Sequence, residues 1–381
     1  MPHHNSVFHS MLKFVPWGKL DDAVARHGAG ARTRSFSFKS QLVALLYGQL
    51  QGAASLRDIE TGLSSQADRL YHLGAEPARR SSLAQANHDR PPEVFSDLLA
   101  VMLQSATSGL RRTMREATYL IDSTTLRLNA LSASWACFSD DAVNAKLHVV
   151  FDPDADRPVH AVVSAGKVTD ITAAKAMPIV PGVTYVFDLG YYDYNWWAKL
   201  DAAQCRIVTR LKANTPFEVT QTRPVRPGPI LSDRVGLLPQ RQARNRRNPM
   251  GKPVRQVEVR IQTGKVLRIL SNDLDASAQE IADLYKRRWA IELFFHWIKQ
   301  TLKITRFLGV SENAVRTQIA AALIAFLLLR MAQKTQTAIA SPLAFARLVK
   351  VNLMRSRSLT QLHRPPEKPT PVLGQGTLFA T

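Results

Sequence analysis

One 15-residue segment, residues 285–299, carries an acid, a phenol and several cations at helical spacing. At about 100° per residue, Tyr285, Arg288, Glu292 and Lys299 fall on one side of a helix. We therefore predict an anchored helix that holds one carboxylate among cations. A simpler interpretation is an amphipathic helix whose polar side faces solvent. The apolar side expected to pack against a core comprises Ile291, Leu293, Phe294, Phe295, Trp297 and Ile298.

Two further acids, Asp122 and Asp188, each follow a short run rich in β-branched and aromatic residues that is typical of a strand. If these strands are neighbours, both carboxylates converge at one edge of a sheet, where Glu292 can join them. Three oxygen donors without Cys or His suit Mg²⁺ or Mn²⁺. Two such ions about 3.5–4 Å apart support phosphoryl transfer. Each aspartate taken alone could equally be a helix-cap or turn residue.

The charge of the chain indicates a polyanionic partner. Its 381 residues include 50 Lys and Arg against 30 Asp and Glu, a formal net charge of +20. Because phosphates favour Lys and Arg through counterion release, we expect a nucleic acid. A membrane span needs about 20 apolar residues, whereas the longest run, residues 319–329, predicts a buried core helix. Two cysteines without a C-x-x-C pair, and no signal-peptide pattern, favour a cytoplasmic setting.

The periodicity of the sequence changes along the chain. Residues 36–110 show helical patterns, and from about residue 117 strand-like and helical segments alternate. Residues 213–275 interrupt this alternation with a β-rich stretch that includes a basic arm at 241–252, and residues 364–371 are rich in proline, which favours disorder. The pattern predicts a mixed sheet flanked by helices, with a helical N-terminal domain and a β-rich insertion.

The spacing Tyr285-x2-Arg288-x3-Glu292-x6-Lys299 resembles the Y-(2)-R-(3)-E-(6)-K signature of the IS4 family of bacterial DDE transposases. The segments around Asp122 (Ile-Asp-Ser-Thr-Thr) and Asp188 (Phe-Asp-Leu-Gly-Tyr-Tyr-Asp) look like the two aspartate boxes of that family. The resemblance covers roughly residues 20–340, in the order helical domain, first Asp, second Asp, β-rich insertion and Glu helix.

This resemblance implies an RNase H-like α/β core in which Asp122, Asp188 and Glu292 bind Mg²⁺ (Mn²⁺ is possible), as two ions. It also implies that Tyr285, Arg288 and Lys299 contact phosphates of the transposon end, and that two protomers pair on double-stranded DNA in the bacterial cytoplasm, at the nucleoid. The expected division is a helical DNA-binding domain at 1–112, catalytic core at 113–212 and 277–345, the β-rich basic insertion at 213–276, and a partly disordered tail at 346–381.

Two positions depart from the family's pattern. Leu189 occupies a position that is often basic, which would weaken one backbone contact. Residues 213–275 contain no tryptophan to hold a flipped base, whereas Trp289 could stack a base but is expected to be buried. The hypothesis is a DNA transposase that cuts the element's ends and transfers the strands. Two alternatives are an RNase H-like nuclease without strand transfer and a non-catalytic DNA-binding protein derived from a transposase.

Overall fold

The computed structural model describes residues 5–29, 36–105, 117–139, 142–241, 247–302, 304 and 306–364. Part of the predicted basic arm (242–246) and the proline-rich segment with the rest of the tail (365–381) lie outside the described residues. The α-helices are α1 (Val7–Leu12), α2 (Trp17–Arg26), α3 (Phe38–Gln51), α4 (Leu56–Ser64), α5 (Ala67–Leu73), α6 (Arg80–Asp89), α7 (Glu93–Ser105), α8 (Ala133–Ala136), α9 (Asp170–Ala176), α10 (Tyr194–Ala202), α11 (Ala278–Arg287), α12 (Trp289–Thr301), α13 (Glu312–Lys334) and α14 (Pro342–Asn352). The strands are β1 (Thr118–Arg127), β2 (Cys137–Ser139), β3 (Ala142–Asp152), β4 (Arg157–Ala165), β5 (Thr184–Phe187), β6 (Arg206–Arg210), β7 (Glu218–Arg223), β8 (Ile230–Leu237), β9 (Val254–Arg260) and β10 (Val266–Ser271).

The N-terminal helices begin and end at residues whose side chains suit helix termini. The hydroxyl of Ser37 accepts a hydrogen bond from the backbone of the first turn of α3, and Gly52 ends that helix at φ 69°. Ser55 and Asp58 form a reciprocal capping box at the start of α4. Local sequence therefore sets these boundaries, as the helical pattern of residues 36–110 predicted.

Helix α13 lies at the centre of the molecule, where it packs against α3, α6 and α7. By length and composition it is the one helix in the described part of the chain that could cross a membrane. However, 83% of its most apolar 18-residue stretch is buried inside the protein. The buried core helix predicted for residues 319–329 is confirmed.

Ten strands of the described residues form one mixed sheet in the order β2-β3-β1-β5-β6-β10-β9-β8-β7, with β4 paired to β3. Strand β1 is antiparallel to β3 and parallel to β5, and β5 is parallel to β6. The strands between residues 218 and 271 continue the same sheet, because β10 pairs with β6. Helices cover both faces, so the predicted mixed α/β architecture is confirmed.

The two faces of the sheet enclose two separate apolar cores. Along β1, Leu120 belongs to the core shared with α12, α13 and the N-terminal helices, whereas Tyr119 and Ile121 belong to the core shared with α9 and α10. This alternation follows from the two-residue period of a strand. Alternate residues of β1 therefore pack against different sets of helices.

The structure corrects two of the local expectations. Strand β1 does not end at Asp122 but continues to Arg127, because β3 pairs with it over that whole length. Residues 285–299, which were predicted to form one helix, are divided at Arg288, where α11 ends and α12 begins. Arg288 keeps right-handed helical angles, and the backbone bonds on either side, from Arg288 to Tyr285 and from Ile291 to Arg288, span three residues instead of four.

Candidate active site

The first two acids lie side by side where β5 ends next to β1. Strands β1 and β5 run parallel, and the last aligned pair is Ile121 with Phe187. Asp122 is the next residue within β1 and Asp188 directly follows β5, so both lie at the same level along the two strands. The strands are neighbours, which was the condition for the two acids to converge.

Asp188 also has a local structural role. Its Oδ1 accepts a hydrogen bond of 2.8 Å from the backbone N–H of Gly190, which starts the 3₁₀ turn Leu189–Tyr191. This bond satisfies one oxygen and leaves Oδ2 without a hydrogen bond in the described part of the chain. The capping interpretation of Asp188 is therefore correct for one oxygen and is compatible with a second role for the other.

Arg288 connects Asp122 to Glu292. Its Nη1 lies 3.4 Å from Asp122 Oδ2, 166 positions away in the sequence, and its Nη2 lies 2.5 Å from Glu292 Oε1. All three side chains are partly buried, with exposures of 18%, 18% and 34%. Glu292 is one helical turn after Arg288, so the short junction between α11 and α12 aims both side chains at the end of β1.

Helix α12 is held against the sheet by aromatic packing. Phe294, Phe295 and Ile298 are at most 5% exposed. The ring of Phe294 lies 5.0 Å from Phe151 of β3 and 5.2 Å from Phe326 of α13, measured between centroids. The predicted apolar anchor beneath Glu292 is present. Leu293, however, is 55% exposed, because it lies on the outer side of the helix.

The acids repel one another at short range. Burial, together with the negative charges of Asp188 and Glu292, raises the pKa of Asp122 to about 6, although the backbone N–H of Ser123 and the charge of Arg288 act in the opposite direction. A cation placed among these carboxylates would relieve the repulsion. Arg288 supplies that positive charge in the structure.

These residues have the chemistry of a divalent-metal site, although they are not closed around a single point. Their donors are carboxylate oxygens, the ligands that Mg²⁺ and Mn²⁺ prefer. In the described part of the chain, no three Asp, Glu, His or Cys side chains are close enough together to hold an ion. The guanidinium of Arg288 lies between Asp122 and Glu292 instead.

Tyr285 and Lys299, the two remaining residues of the predicted polar side of segment 285–299, precede and follow Glu292 along the chain. Tyr285 is buried, its ring centroid is 6.0 Å from the Arg288 Cζ, and burial raises its pKa despite the nearby charges of Arg288 and Arg210. Lys299 is half-buried, which lowers its pKa, and it forms no ion pair with a described carboxylate. Lys299 is therefore a cation with no acidic partner in this part of the molecule.

Trp289 is 60% exposed, which corrects the expectation that it is buried. Trp289 and Leu293 are four positions apart and both exposed, so they lie on the same outward side of α12. The indole is thus available to solvent.

Sequence patterns did not identify the groups that surround Asp122 on the other face of the sheet. Ser123 Oγ donates to Asp170 Oδ1 over 2.8 Å, and Lys146 Nζ donates to the same oxygen over 3.1 Å. His148 is fully buried, and burial lowers its pKa to about 4, so its ring is neutral near pH 7. Asp170 follows Thr169 at the start of α9, where an acid is ordinary, so its sequence position gave no indication of this contact.

Comparison with known proteins places the chain in a family. Residues 114–328 match the Transposase DDE domain family, and residues 3–76 match a domain of unknown function, DUF4372. Putative transposase y4zB of Sinorhizobium fredii is 36% identical over 289 residues, covering 74% of this chain and 80% of that protein. The probable transposase for insertion sequence element IS5377 of Geobacillus stearothermophilus is 28% identical, covering 87% and 85%.

Among solved structures, the piggyBac transposase synaptic complex with hairpin DNA aligns with a TM-score of 0.44 and 11% identity, covering 94% of this chain and 80% of that one. The match to the Transposase DDE domain spans more than half of the chain and includes Asp122, Asp188 and Glu292. The chain belongs to the DDE transposases and is an insertion-sequence transposase, an enzyme that acts on DNA and depends on divalent metal.

Proposed function

We propose that this transposase cuts DNA at the ends of its element and joins the freed strands to target DNA, with Asp122, Asp188 and Glu292 as its catalytic triad. The observation that carries this proposal is the bridge made by Arg288 between Asp122 and Glu292, at the sheet edge where Asp188 also lies. Arg288 links two acids from distant parts of the sequence, and the negative charges of Asp188 and Glu292 act on Asp122 although their repulsion opposes this arrangement. Such an arrangement is typical of a functional site.

The triad would hold Mg²⁺, or Mn²⁺, as two ions. When bound, divalent ions activate the attacking oxygen and stabilise the leaving oxygen in phosphoryl transfer. Arg288 pairs with two of these acids in the structure, so a metal ion held by the triad would compete with Arg288 for Asp122 and Glu292. Arg288 therefore holds the site together before metal and DNA arrive.

Arg288, Tyr285 and Lys299 would then contact phosphates of the transposon end, as the Y-R-E-K signature of the IS4 family implies. Lys299 supports this role because no described carboxylate pairs with it and it lies on the Glu292 helix. The guanidinium of Arg288, once released, is suited to bidentate phosphate binding. In this proposal these three residues bind DNA, whereas the acidic triad carries out the phosphoryl transfer.

An RNase H-like core is supported by the strand order β4-β3-β1-β5-β6. In this order β3 is antiparallel to both of its neighbours, β4 and β1, and β5 and β6 run parallel to β1. Within the proposed division, residues 113–212 and 277–345 form this core. Residues 1–112 form the helical DNA-binding domain, 213–276 the insertion and 346–381 the tail.

We also propose a homodimer on DNA in the bacterial cytoplasm, at the nucleoid.

The direct test is cleavage of double-stranded DNA that carries the element's own ends, in the presence of Mg²⁺. Asp122→Asn, Asp188→Asn and Glu292→Gln should each lower the cleavage rate by more than about 100-fold, since even partners of metal ligands cost 10- to 100-fold. End binding in gel shifts should persist. Asp201→Asn is the matched control, because Asp201 pairs with Lys252 and contacts none of the triad. Normal cleavage by any triad variant removes that residue from the site.

The same assay separates the alternatives. A metal-dependent nuclease would release cut ends without joined products. A non-catalytic DNA-binding protein would bind the ends with no cut strand at any Mg²⁺ or Mn²⁺ concentration. The transposase should yield both cut ends and strand-transfer products.

A further inference from the structure

Ser123 joins Asp122 to a fourth acid, Asp170. The backbone N–H of Ser123 donates to Asp122 Oδ1 over 2.8 Å, and its hydroxyl donates to Asp170 Oδ1 over 2.8 Å. One residue therefore contacts both carboxylates. Any shift of Asp170 is transmitted through a single residue to the main chain that orients Asp122.

These two contacts lie on opposite faces of the sheet. Neighbouring residues of a strand point to opposite sides, so Asp122 meets Arg288 and Glu292 on one face while Ser123 meets α9 on the other. The hydrogen bond that links helix α9 to β1 next to Asp122 is therefore the one made by Ser123.

Asp170 also lies beside the second aspartate of the triad. A Cβ atom built on Gly190 would lie 3.1 Å from Asp188 Oδ1 and 3.2 Å from Asp170 Oδ2. The hydroxyl of Tyr191 is buried near Ser123, in the field of Asp122, Asp170 and Asp188. Asp170 thus lies beside both parallel strands: it is bonded to β1 through Ser123 and lies next to the turn that follows β5.

The groups that face Asp170 keep it in place. Lys146 Nζ lies 3.1 Å from Asp170 Oδ1 and also donates to the Val168 carbonyl. His148 Nδ1 lies 3.8 Å from the same oxygen, and Thr169 already caps α9. A role confined to helix capping would not require Asp170 to accept hydrogen bonds from two residues on two strands.

We propose that Asp170 is a positioning residue of the acidic site: through Ser123 it fixes β1 next to Asp122, so that Asp122 keeps its spacing from Asp188. This inference rests on the proposed function, in which Asp122 and Asp188 bind metal. Ser123 and Lys146 both donate to Asp170 Oδ1, so we assign Asp170 to orienting the ligand residues and not to the ion itself.

The test is a binding titration of Mn²⁺ alone against the full-length protein without DNA. The concentration of free Mn²⁺ is measured by electron paramagnetic resonance. Ser123→Ala and Asp170→Ala should each weaken Mn²⁺ binding by about 10- to 100-fold, the usual cost of losing a partner of a metal ligand. Ser123→Thr keeps the hydroxyl and Asp170→Asn keeps an acceptor oxygen, so both should restore part of the affinity. Asp201→Asn, an acid with a lysine partner elsewhere, should bind Mn²⁺ like the parent. Melting temperatures and end binding measured alongside show whether the variants are folded.

Unchanged Mn²⁺ binding in Ser123→Ala overturns the proposal, whatever Asp170→Ala does. If binding is lost only in the Asp170 variants, Asp170 ligates the ion directly and positioning is wrong. If Asp170→Ala does not fold, the difference between Ser123→Ala and Ser123→Thr decides: equal affinities overturn the proposal. Asp122→Asn in the same titration tests the proposed function separately, because unchanged binding there removes the metal site on which the inference rests.

Discussion

At the scale of single residues, Arg288 is the cation that makes the acidic site stable without metal. It contacts Asp122 and Glu292 from a partly buried position, and the bond to Glu292 helps keep its own pKa raised although burial acts in the opposite direction. The carboxylates would otherwise face each other with their repulsion uncompensated. In the proposed site, the residue that a divalent ion would displace is thus also the residue that links Asp122 to Glu292.

Replacing Arg288 by Ala should lower the free energy of unfolding by about 1–3 kcal/mol in the absence of metal, because two partly buried carboxylates lose their counter-charge. Mg²⁺ should then raise the melting temperature more in this variant than in the parent, since the ion replaces the missing charge. Arg288→Lys, which keeps one positive charge, is the control. Equal Mg²⁺ shifts in the Ala variant and the parent would show that Arg288 and the ion do not compete.

The salt dependence of DNA binding should report the phosphate contacts. Arg288→Ala and Lys299→Ala should each reduce the slope of log K against log salt by about one unit, because one phosphate contact is lost in each. Fluorescence anisotropy with a labelled transposon end measures this slope. Lys334→Ala, at the end of α13, is the control for removal of one surface charge. An unchanged slope would assign Arg288 and Lys299 to the fold and the electrostatics of the acids.

At the scale of elements, the position of Glu292 depends on how firmly α12 is attached to the sheet. Phe294 packs between Phe151 of β3 and Phe326 of α13, whereas its neighbour Leu293 lies on the exposed side of the same helix. The two adjacent positions therefore provide a buried residue and an exposed one on a single element.

We expect Phe294→Ala to lower the free energy of unfolding by about 3–5 kcal/mol, the cost of a cavity left by a buried phenyl ring. Leu293→Ala should change it by less than about 0.5 kcal/mol, since an exposed side chain loses little packing. Denaturant unfolding followed by tryptophan fluorescence measures both variants. Similar losses in the two variants would mean that α12 is packed differently in solution.

At the scale of the whole molecule, the net charge of +20 opposes self-association until DNA supplies negative charge. We therefore expect a monomer in light scattering without DNA and a dimer when two transposon ends are added. Basic residues stand exposed in the N-terminal helices, among them Arg79 and Arg80 at the start of α6. This arrangement is compatible with DNA held by one protomer and cut by its partner.

Catalysis across the dimer is testable by mixing two defective proteins. One carries Asp188→Asn, and the other carries Arg79→Ala with Arg80→Ala, which should weaken the N-terminal DNA contact. The mixture should cut one of the two ends in each mixed dimer, while each protein alone should cut none, because only a mixed dimer places an intact triad opposite an intact DNA contact. If the mixture stays inactive although both proteins are folded and enter the paired complex, cleavage in trans is wrong.

The sequence by itself determined the acids and the elements that carry them. Strand-like runs before Asp122 and Asp188, and the helical spacing from Tyr285 to Lys299, follow from residue type and period, which local backbone preferences set. The same local rules located the buried helix at residues 319–329 and the capped helices of the N-terminal region. They did not show that the strands between residues 218 and 271 continue the same sheet, because pairing partners lie far apart in the chain.

Only the tertiary structure decided which groups surround the acids. Trp289 and Leu293 are exposed because they lie four positions apart on the side of α12 that faces away from the core, and their apolar side chains did not reveal which side that is. Asp170 reaches Ser123 across 47 positions of sequence because α9 covers the face of β1 opposite Arg288. Such contacts depend on the register of β1 and β5 and on which helix covers each face. Local sequence fixes neither, because long-range burial of both cores sets them together.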